Sequence, residues 1–327
     1  MQYGEFRPGL TYSIQYRPLS SDPASFKEIR LQREPFSLAG SAEFKDLIPY
    51  TEYEFKIRCR SPDSDSDLMW SPDLTISTRT LPDVPYRRPE ITNSSFTIES
   101  NYVTESFPDM RTITLYWKFA FSYLFQGVPA AHENGPDFHY VIHVSSRNLP
   151  LGVIAVGNET KYSFWNMTVN TRYKFQLYAS NSVGLSTNIS GIVVATDKLL
   201  RGPKDIIVEA KENSYFISWT SEYEVNYYEN EIEYYTLFWC KSSIPRPVIC
   251  HDSLQWLHLN QTEYNLQLTG GNDYQFAVSA NSLKWTSGMF WASCHISFNP
   301  QYFEAYEICL NFTQALATVP DSGILYL

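Results

Sequence analysis

Leu47-Ile48-Pro49-Tyr50-Thr51-Glu52-Tyr53-Glu54-Phe55-Lys56-Ile57 recurs further along the chain as Met167-Thr168-Val169-Asn170-Thr171-Arg172-Tyr173-Lys174-Phe175-Gln176-Leu177, and again as Leu268-Thr269-Gly270-Gly271-Asn272-Asp273-Tyr274-Gln275-Phe276-Ala277-Val278. In each copy an aliphatic residue or Met stands six places before a Tyr, and that Tyr opens a run in which apolar residues alternate with others. Alternation with period two belongs to a β-strand with one buried face. Tyr173, Phe175, Leu177 and Ala179 then point one way, and Lys174, Gln176 and Tyr178 the other. The three tyrosines lie 120 and 101 residues apart, the size of a small domain, so the chain reads as three copies of one module.

A strand-opening tyrosine of this kind is the tyrosine corner of immunoglobulin-like and fibronectin-like sandwiches. Its ring fills the core while its hydroxyl is anchored to the preceding turn. A second marker keeps the same register: Leu115-Tyr116-Trp117-Lys118 and Ile217-Ser218-Trp219-Thr220 fit a strand B with a core Trp, 56 and 55 residues before their corner Tyr. Projecting that interval back from Tyr53 passes Met1. Module one is therefore expected to begin near strand C, at Leu10-Thr11-Tyr12-Ser13-Ile14-Gln15-Tyr16, without strands A and B. Pro-rich polar stretches at 81–89 and 197–203 read as linkers. The expected organisation is a partial fibronectin type III-like domain over 1–81, full domains over 82–198 and 199–300, and an irregular tail over 301–327. The expected fold class is all-β: tandem fibronectin type III-like β-sandwiches, the first truncated at its N-terminus.

Composition agrees with packed sheet, at 43% hydrophobic, 16% aromatic and only 18% charged. A net charge of −10 leaves no basic footprint for nucleic acid. The first residues have no apolar core of a secretory signal, and no apolar run approaches the roughly eighteen residues of a bilayer span. Two features nevertheless point outside the cell: six glycosylation sequons, at Asn93, Asn158, Asn166, Asn188, Asn260 and Asn311, and the nearby cysteines Cys240 and Cys250. Together they make the missing signal a sign that the chain is a fragment.

No Gly-rich phosphate loop, Cys-x-x-Cys, His-Glu-x-x-His or Gly-x-Ser-x-Gly occurs. His139 and His143 share one face of an expected strand but stand about 13 Å apart, too far to chelate one metal. No catalytic residue, metal ligand or cofactor is expected, and the chain reads as not an enzyme. Between Glu222 and Tyr235 acids alternate with tyrosines, read here as a soluble loop running into an apolar strand rather than a sulfated contact segment.

Three segments carry a family resemblance. Ile57-Arg58-Cys59-Arg60, an acidic loop over 61–67, and Trp70-Ser71-Pro72-Asp73 resemble the end of the hormone-binding region of class I cytokine receptors, which carries a Trp-Ser-x-Trp-Ser box. Only the first Trp-Ser of the box is intact. Arg111-Thr112-Ile113-Thr114-Leu115-Tyr116-Trp117-Lys118 and Phe238-Trp239-Cys240…Cys250…Trp256 resemble successive modules of the tall, shared signal-transducing subgroup; the resemblance covers 10–298, and with the box divergent an invertebrate member is the expectation. The resemblance implies a cation–π ladder of Arg58 and Arg60 on Trp70, with Lys56 on the same face, and a Cys240–Cys250 disulfide. Cys59, alternating with Phe55 and Ile57, reads as a buried thiol, and Cys294 and Cys309 either pair or stay free.

It further implies a cell-surface receptor that binds a helical cytokine and receptor subunits, signals through JAK–STAT, and meets the membrane only through a span outside this chain. The candidate ligand-facing loop includes Ser61, Asp63, Asp65, Asp67 and Met69. An adhesion or axon-guidance receptor, or the ectodomain of a receptor tyrosine phosphatase, is the alternative.

Overall fold

Alternating apolar residues do build strands throughout. The computed structural model describes residues 9–33, 41–62, 66–101, 110–118, 133–196, 200–211, 214–221, 232–241, 250, 254–268, 274–292 and 294–297, and among these every extended element is a β-strand. The fold is all-β, a tandem array of fibronectin type III-like sheets. By its contacts the chain divides into two compact units: Met1–Arg88 with Ala120–Val141 and Tyr178–Ile189, and Pro89–Phe119 with Ile142–Leu177 and Ser190–Leu327.

In module one, β1 (Leu10–Pro18), β2 (Lys27–Arg33), β3 (Glu52–Arg60) and β4 (Leu74–Arg79) form an antiparallel sheet in the order β2-β1-β3-β4. Tyr53, Phe55 and Ile14 are buried on its inner face, with Phe44, Leu47, Ile57 and Leu31 packed against them. The rest of that face is an open groove of about 660 Å³, lined by Tyr12, Ile14, Leu31, Phe44, Phe55 and Ile76 among others.

Module two pairs a sheet of β5 (Phe96–Asn101), β6 (Met110–Tyr116) and β9 (Lys161–Thr168) with one in the order β11-β10-β7-β8. The members of the second are β7 (His139–Ser146), β8 (Leu149–Gly157), β10 (Tyr173–Ser180) and β11 (Ser190–Val194). Module three pairs β16-β13-β12-β19 with β15-β14-β17-β18. Its strands are β12 (Lys204–Lys211), β13 (Ser214–Thr220), β14 (Tyr234–Lys241), β15 (Gln255–Leu259), β16 (Glu263–Gln267), β17 (Tyr274–Asn281), β18 (Phe290–Trp291) and β19 (Cys294–Ser297). The chain leaves β18 on one sheet and re-enters as β19 on the other, where it runs parallel to β12.

The two repeated aromatic markers occupy equivalent places. Tyr53 and Tyr173 are buried, and their hydroxyls accept the backbone N–H five residues upstream, from Ile48 at 3.0 Å and Thr168 at 3.1 Å. Trp117 and Trp219 are buried too, and their backbone N–H groups donate to Thr160 and Thr262 at 2.9 and 3.0 Å. Arg111, 1% exposed, reaches across the end of module two to donate to the carbonyls of Thr171 and Ala195 at 2.9 and 2.7 Å.

Within the second unit, the outer face of the β14–β17 sheet is covered by module two. Every residue of β17 is buried. Phe96 is fully buried, accepts from Met289 N at 2.7 Å and lies over Gly288, whose φ is +73°. A Cβ on Gly288 would stand 2.8 Å from the Phe96 ring and 2.9 Å from its carbonyl, so no other residue fits that contact unmoved. Ser279 Oγ donates to Ser94 Oγ at 2.9 Å, Tyr116 meets Trp291 edge-on, and Lys118 Nζ sits 3.6 Å over the Trp256 ring. Burial pushes the Lys118 ammonium down and the Tyr116 phenol up from their ordinary pKa values.

Candidate functional site

Strand β3 carries Lys56, Arg58 and Arg60 on the face opposite Phe55 and Ile57, as alternation requires. Beyond β3 the chain makes one turn of 3-10 helix, Asp67–Met69, with the Ser66 hydroxyl accepting from Leu68 N at 3.3 Å. It then returns extended at Trp70. There the indole meets two guanidiniums: Arg58 and Arg60 each have Cζ over the ring, 4.8 Å from its centroid. Such a contact is worth about 0.5–1 kcal/mol at an exposed site.

Ser71 fixes the indole in place. Its N–H donates to Cys59 O at 2.9 Å, and its hydroxyl accepts from Cys59 N at 3.1 Å. One serine thus closes both hydrogen bonds of a ladder rung. The same exchange occurs in the other modules, Ser186 with Ala179 at 2.8 and 3.2 Å and Ser287 with Ala280 at 3.0 and 2.9 Å. Each partner stands six residues after its corner tyrosine. The serine after Trp70 is therefore a feature of all three modules; the tryptophan is peculiar to the first.

The stack continues beyond the residues that the sequence singled out. Lys56 Nζ and Arg17 Cζ lie 4.6 and 4.9 Å from the Phe26 ring centroid, and Arg17 pairs with Glu54 at 2.8 Å. Between the two aromatic ends, buried Ser13 donates to Glu28 at 2.6 Å and accepts from Arg58 Nε at 3.4 Å. The Ser13 hydroxyl, then Arg30 and Arg58, hold the Glu28 carboxyl below its ordinary range. Phe26 follows a turn in the β1–β2 hairpin and falls outside any box motif. Strand register is what could have found the middle of the stack, since Ser13 pairs with both Arg30 and Arg58.

Of the loop read as ligand-facing, Ser61 is half-buried, Met69 is 62% exposed and its neighbour Leu68 93%. Asp63 and Asp65 lie outside the described residues, and only the backbone of Asp67 is described. Leu74 opens β4 opposite Ile57 and adds nothing to the stack. Cys59 is half-buried rather than buried, because it sits near the end of β3 with its Sγ 3.8 Å from Ser71 Oγ.

Cys240 and Cys250 are disulfide-bonded with Cα atoms 5.5 Å apart, and they pack with Phe238, Leu254, Trp256 and Tyr116 at the joint between modules two and three. Cys294 belongs to β19, and Cys309 lies outside the described residues.

The asparagines of five sequons, Asn93, Asn158, Asn166, Asn188 and Asn260, are exposed; Asn311 lies outside the described residues. Asn158 and Asn260 are 102 residues apart, as are Trp117 and Trp219, so the two occupy one turn in successive modules. In both, the sequon threonine receives the N–H of the strand-B tryptophan. Among the described residues no three His, Cys, Asp or Glu side chains are placed to hold a metal.

No protein-family model matches the chain. A Drosophila melanogaster protein named cytokine receptor is 26% identical over 309 residues, which cover 88% of this chain and 22% of that one. Human interleukin-6 receptor subunit beta is 29% identical over 265 residues, covering 80% and 25%. The mouse protein of the same name is 26% identical over 276, covering 83% and 26%. The chain spans about a quarter of the length of these curated relatives. Among solved structures, the chicken CNTN1 FN1-FN3 domains align over 87% of both chains at 18% identity and a TM-score of 0.34.

Proposed function

We propose that the chain is part of the ectodomain of a class I cytokine receptor of the tall signal-transducing subgroup, in the finer reading an insect Domeless-type receptor. The observation that carries the class is the similarity, over four-fifths or more of the chain, to proteins named cytokine receptor in fly and interleukin-6 receptor subunit beta in human and mouse. The stacked Arg58, Trp70 and Arg60 beside a loop exposing Leu68 and Met69 agree with it.

In this reading the loop from Ser61 to Met69 touches a helical cytokine through its apolar pair and flanking aspartates. The stack holds the base of that loop rigid, so little ordering entropy is lost on binding. The rest of the receptor supplies the membrane span and the coupling to JAK–STAT signalling. The equivalent sequon turns at Asn158 and Asn260 carry glycans on the extracellular face, and the chain itself does no chemistry.

The test is a receptor containing this stretch, expressed on cells and titrated with helical cytokines of the same animal. Leu68→Asp with Met69→Asp should weaken binding at least about tenfold, the usual weight of a buried apolar contact pair. If no cytokine binds and the cells instead adhere to one another through the receptor, the adhesion alternative replaces this one.

A further inference from the structure

The outer face of the β1–β4 sheet has a charge opposite to that of the molecule. The chain carries a net −10, yet this face presents Arg17, Arg30, Lys56, Arg58, Arg60 and Arg79 against the carboxylates of Glu28, Glu52 and Glu54. Two of these cations are committed within the sheet: Arg17 is bonded to Glu54 with its side chain 13% exposed, and Arg79 stands 4.0 Å from Glu52. Arg30, with its side chain 58% exposed, and Arg58 share the single carboxylate of Glu28. Lys56 and Arg60 have no ion-pair partner among the described residues.

The geometry of the surplus is linear. Lys56, Arg58 and Arg60 follow one another on every second residue of β3, a row about 13 Å long. Arg30 stands level with Arg58 across β1, because both register with Ser13. The rings of Trp70 and Phe26 hold the row from two ends, so its cations are ordered before any ligand arrives. A flat row of fixed cations lacks the enclosure that a single small anion needs, and suits an extended polyanion lying along the strand.

We propose that this face binds a sulfated polysaccharide of the glycosaminoglycan type. The guanidinium fork matches the oxygens of a sulfate group, and repeated sulfates on a linear chain match a repeated row of cations. The proposal rests on the extracellular reading above for where the two would meet, but not on cytokine binding. Bound there, the polysaccharide would concentrate the receptor, or its ligand, at the cell coat.

The probe is heparin, immobilised, with the whole chain passed over it at rising salt. Binding is expected at physiological salt and to weaken steeply as salt rises, because neutralised sulfates release their counterions. Arg30→Glu lies outside the aromatic stacks; it should weaken binding roughly tenfold with the chain still folded, at the cost of the exposed Glu28 pairing alone. Lys56→Gln should act in the same direction. Lys174→Glu, on the exposed face of β10, should leave binding as it was.

Equal loss from Lys174→Glu, or no loss from Arg30→Glu, would overturn the assignment. So would equal binding to desulfated heparin, to poly-glutamate or to phosphatidylserine vesicles, since each identifies a different class of anion. Heparin binding without cytokine binding would sink the receptor reading and leave this one standing; the reverse result would do the opposite.

Discussion

Strands β3 and β17 are equivalent strands of modules one and three, yet their outer faces do opposite things. On β3 that face holds Lys56, Arg58 and Arg60, half-exposed and stacked on aromatic rings. On β17 it holds Gln275, Ala277 and Ser279, all buried, with Ala277 packed in one cluster with Tyr116 and Ser279 bonded to Ser94 of module two. The inner faces hardly differ: Tyr, Phe and an aliphatic residue in both. The inner face thus specifies the module, and the outer face decides whether the module meets solvent or a neighbour. Cation–π contacts serve both purposes, within module one at Trp70 and across the joint at Lys118 and Trp256.

The comparison is broken most severely at the joint. Phe96→Ala removes a fully buried ring and should cost about 3–5 kcal/mol. Hydrogen exchange should speed up at residues 275–281 and leave 53–57 unchanged. Equal loss in both segments would mean that the two outer faces are not independent.

Replacing both Cys240 and Cys250 with Ser comes next, at about 3 kcal/mol for so short a loop. Denaturant unfolding of the chain should show it, with the exchange rates of β3 again unmoved. Trp70→Ala has the converse pattern: about 1–2 kcal/mol for two lost stacks, confined to module one, with the joint's protection intact. A drop in protection at β17 would contradict the division between the two faces.

The serine rungs sharpen the comparison, since they are shared. Ser186→Ala and Ser287→Ala each leave a backbone N–H without its acceptor in a buried setting, which should cost about 1–2 kcal/mol by thermal denaturation. Ser71→Ala, at a more open strand end, should cost less than 1 kcal/mol by roughly the same reasoning.

The smallest effect belongs to Glu28. Its carboxyl is held below its ordinary pKa in the folded chain, so its contribution is complete above the unfolded value and disappears as pH falls through the folded one. Module one should therefore lose stability on acidification between those two values, and Glu28→Gln should flatten that part of the profile. An unchanged acid profile in the variant would show that Glu28 contributes nothing.

Much of this was legible in the sequence because it rests on local period. Tyr53, Tyr173, Trp117 and Trp219 sit where alternation and spacing put them, and Arg58, Arg60 and Trp70 come together because two of them share a strand face and the third follows a short return. Phe26 escaped because its place depends on a hairpin turn, not on a period. The joint escaped for a different reason. It joins residues far apart in the chain, Ser94 with Ser279 and Phe96 with Gly288. One clue was present. From Tyr274 to Asn281 there is no charge in eight residues, whereas Glu52–Arg60 carries five. A strand with no charged side chain on either face can be buried on both.

The parallel pairing of β12 with β19 determines how module three would bear a load. Among the described residues these are its first and last strands, in register from Ile207 with Cys294 to Ala210 with Ser297. A pull on the two ends of the module drags them lengthwise in opposite directions, so their bonds must slide together. A hairpin pulled open at its tips breaks one rung at a time. Module three is thus built to hold under tension, like a lap joint stressed in shear, wherever the chain is anchored at one end and tugged at the other.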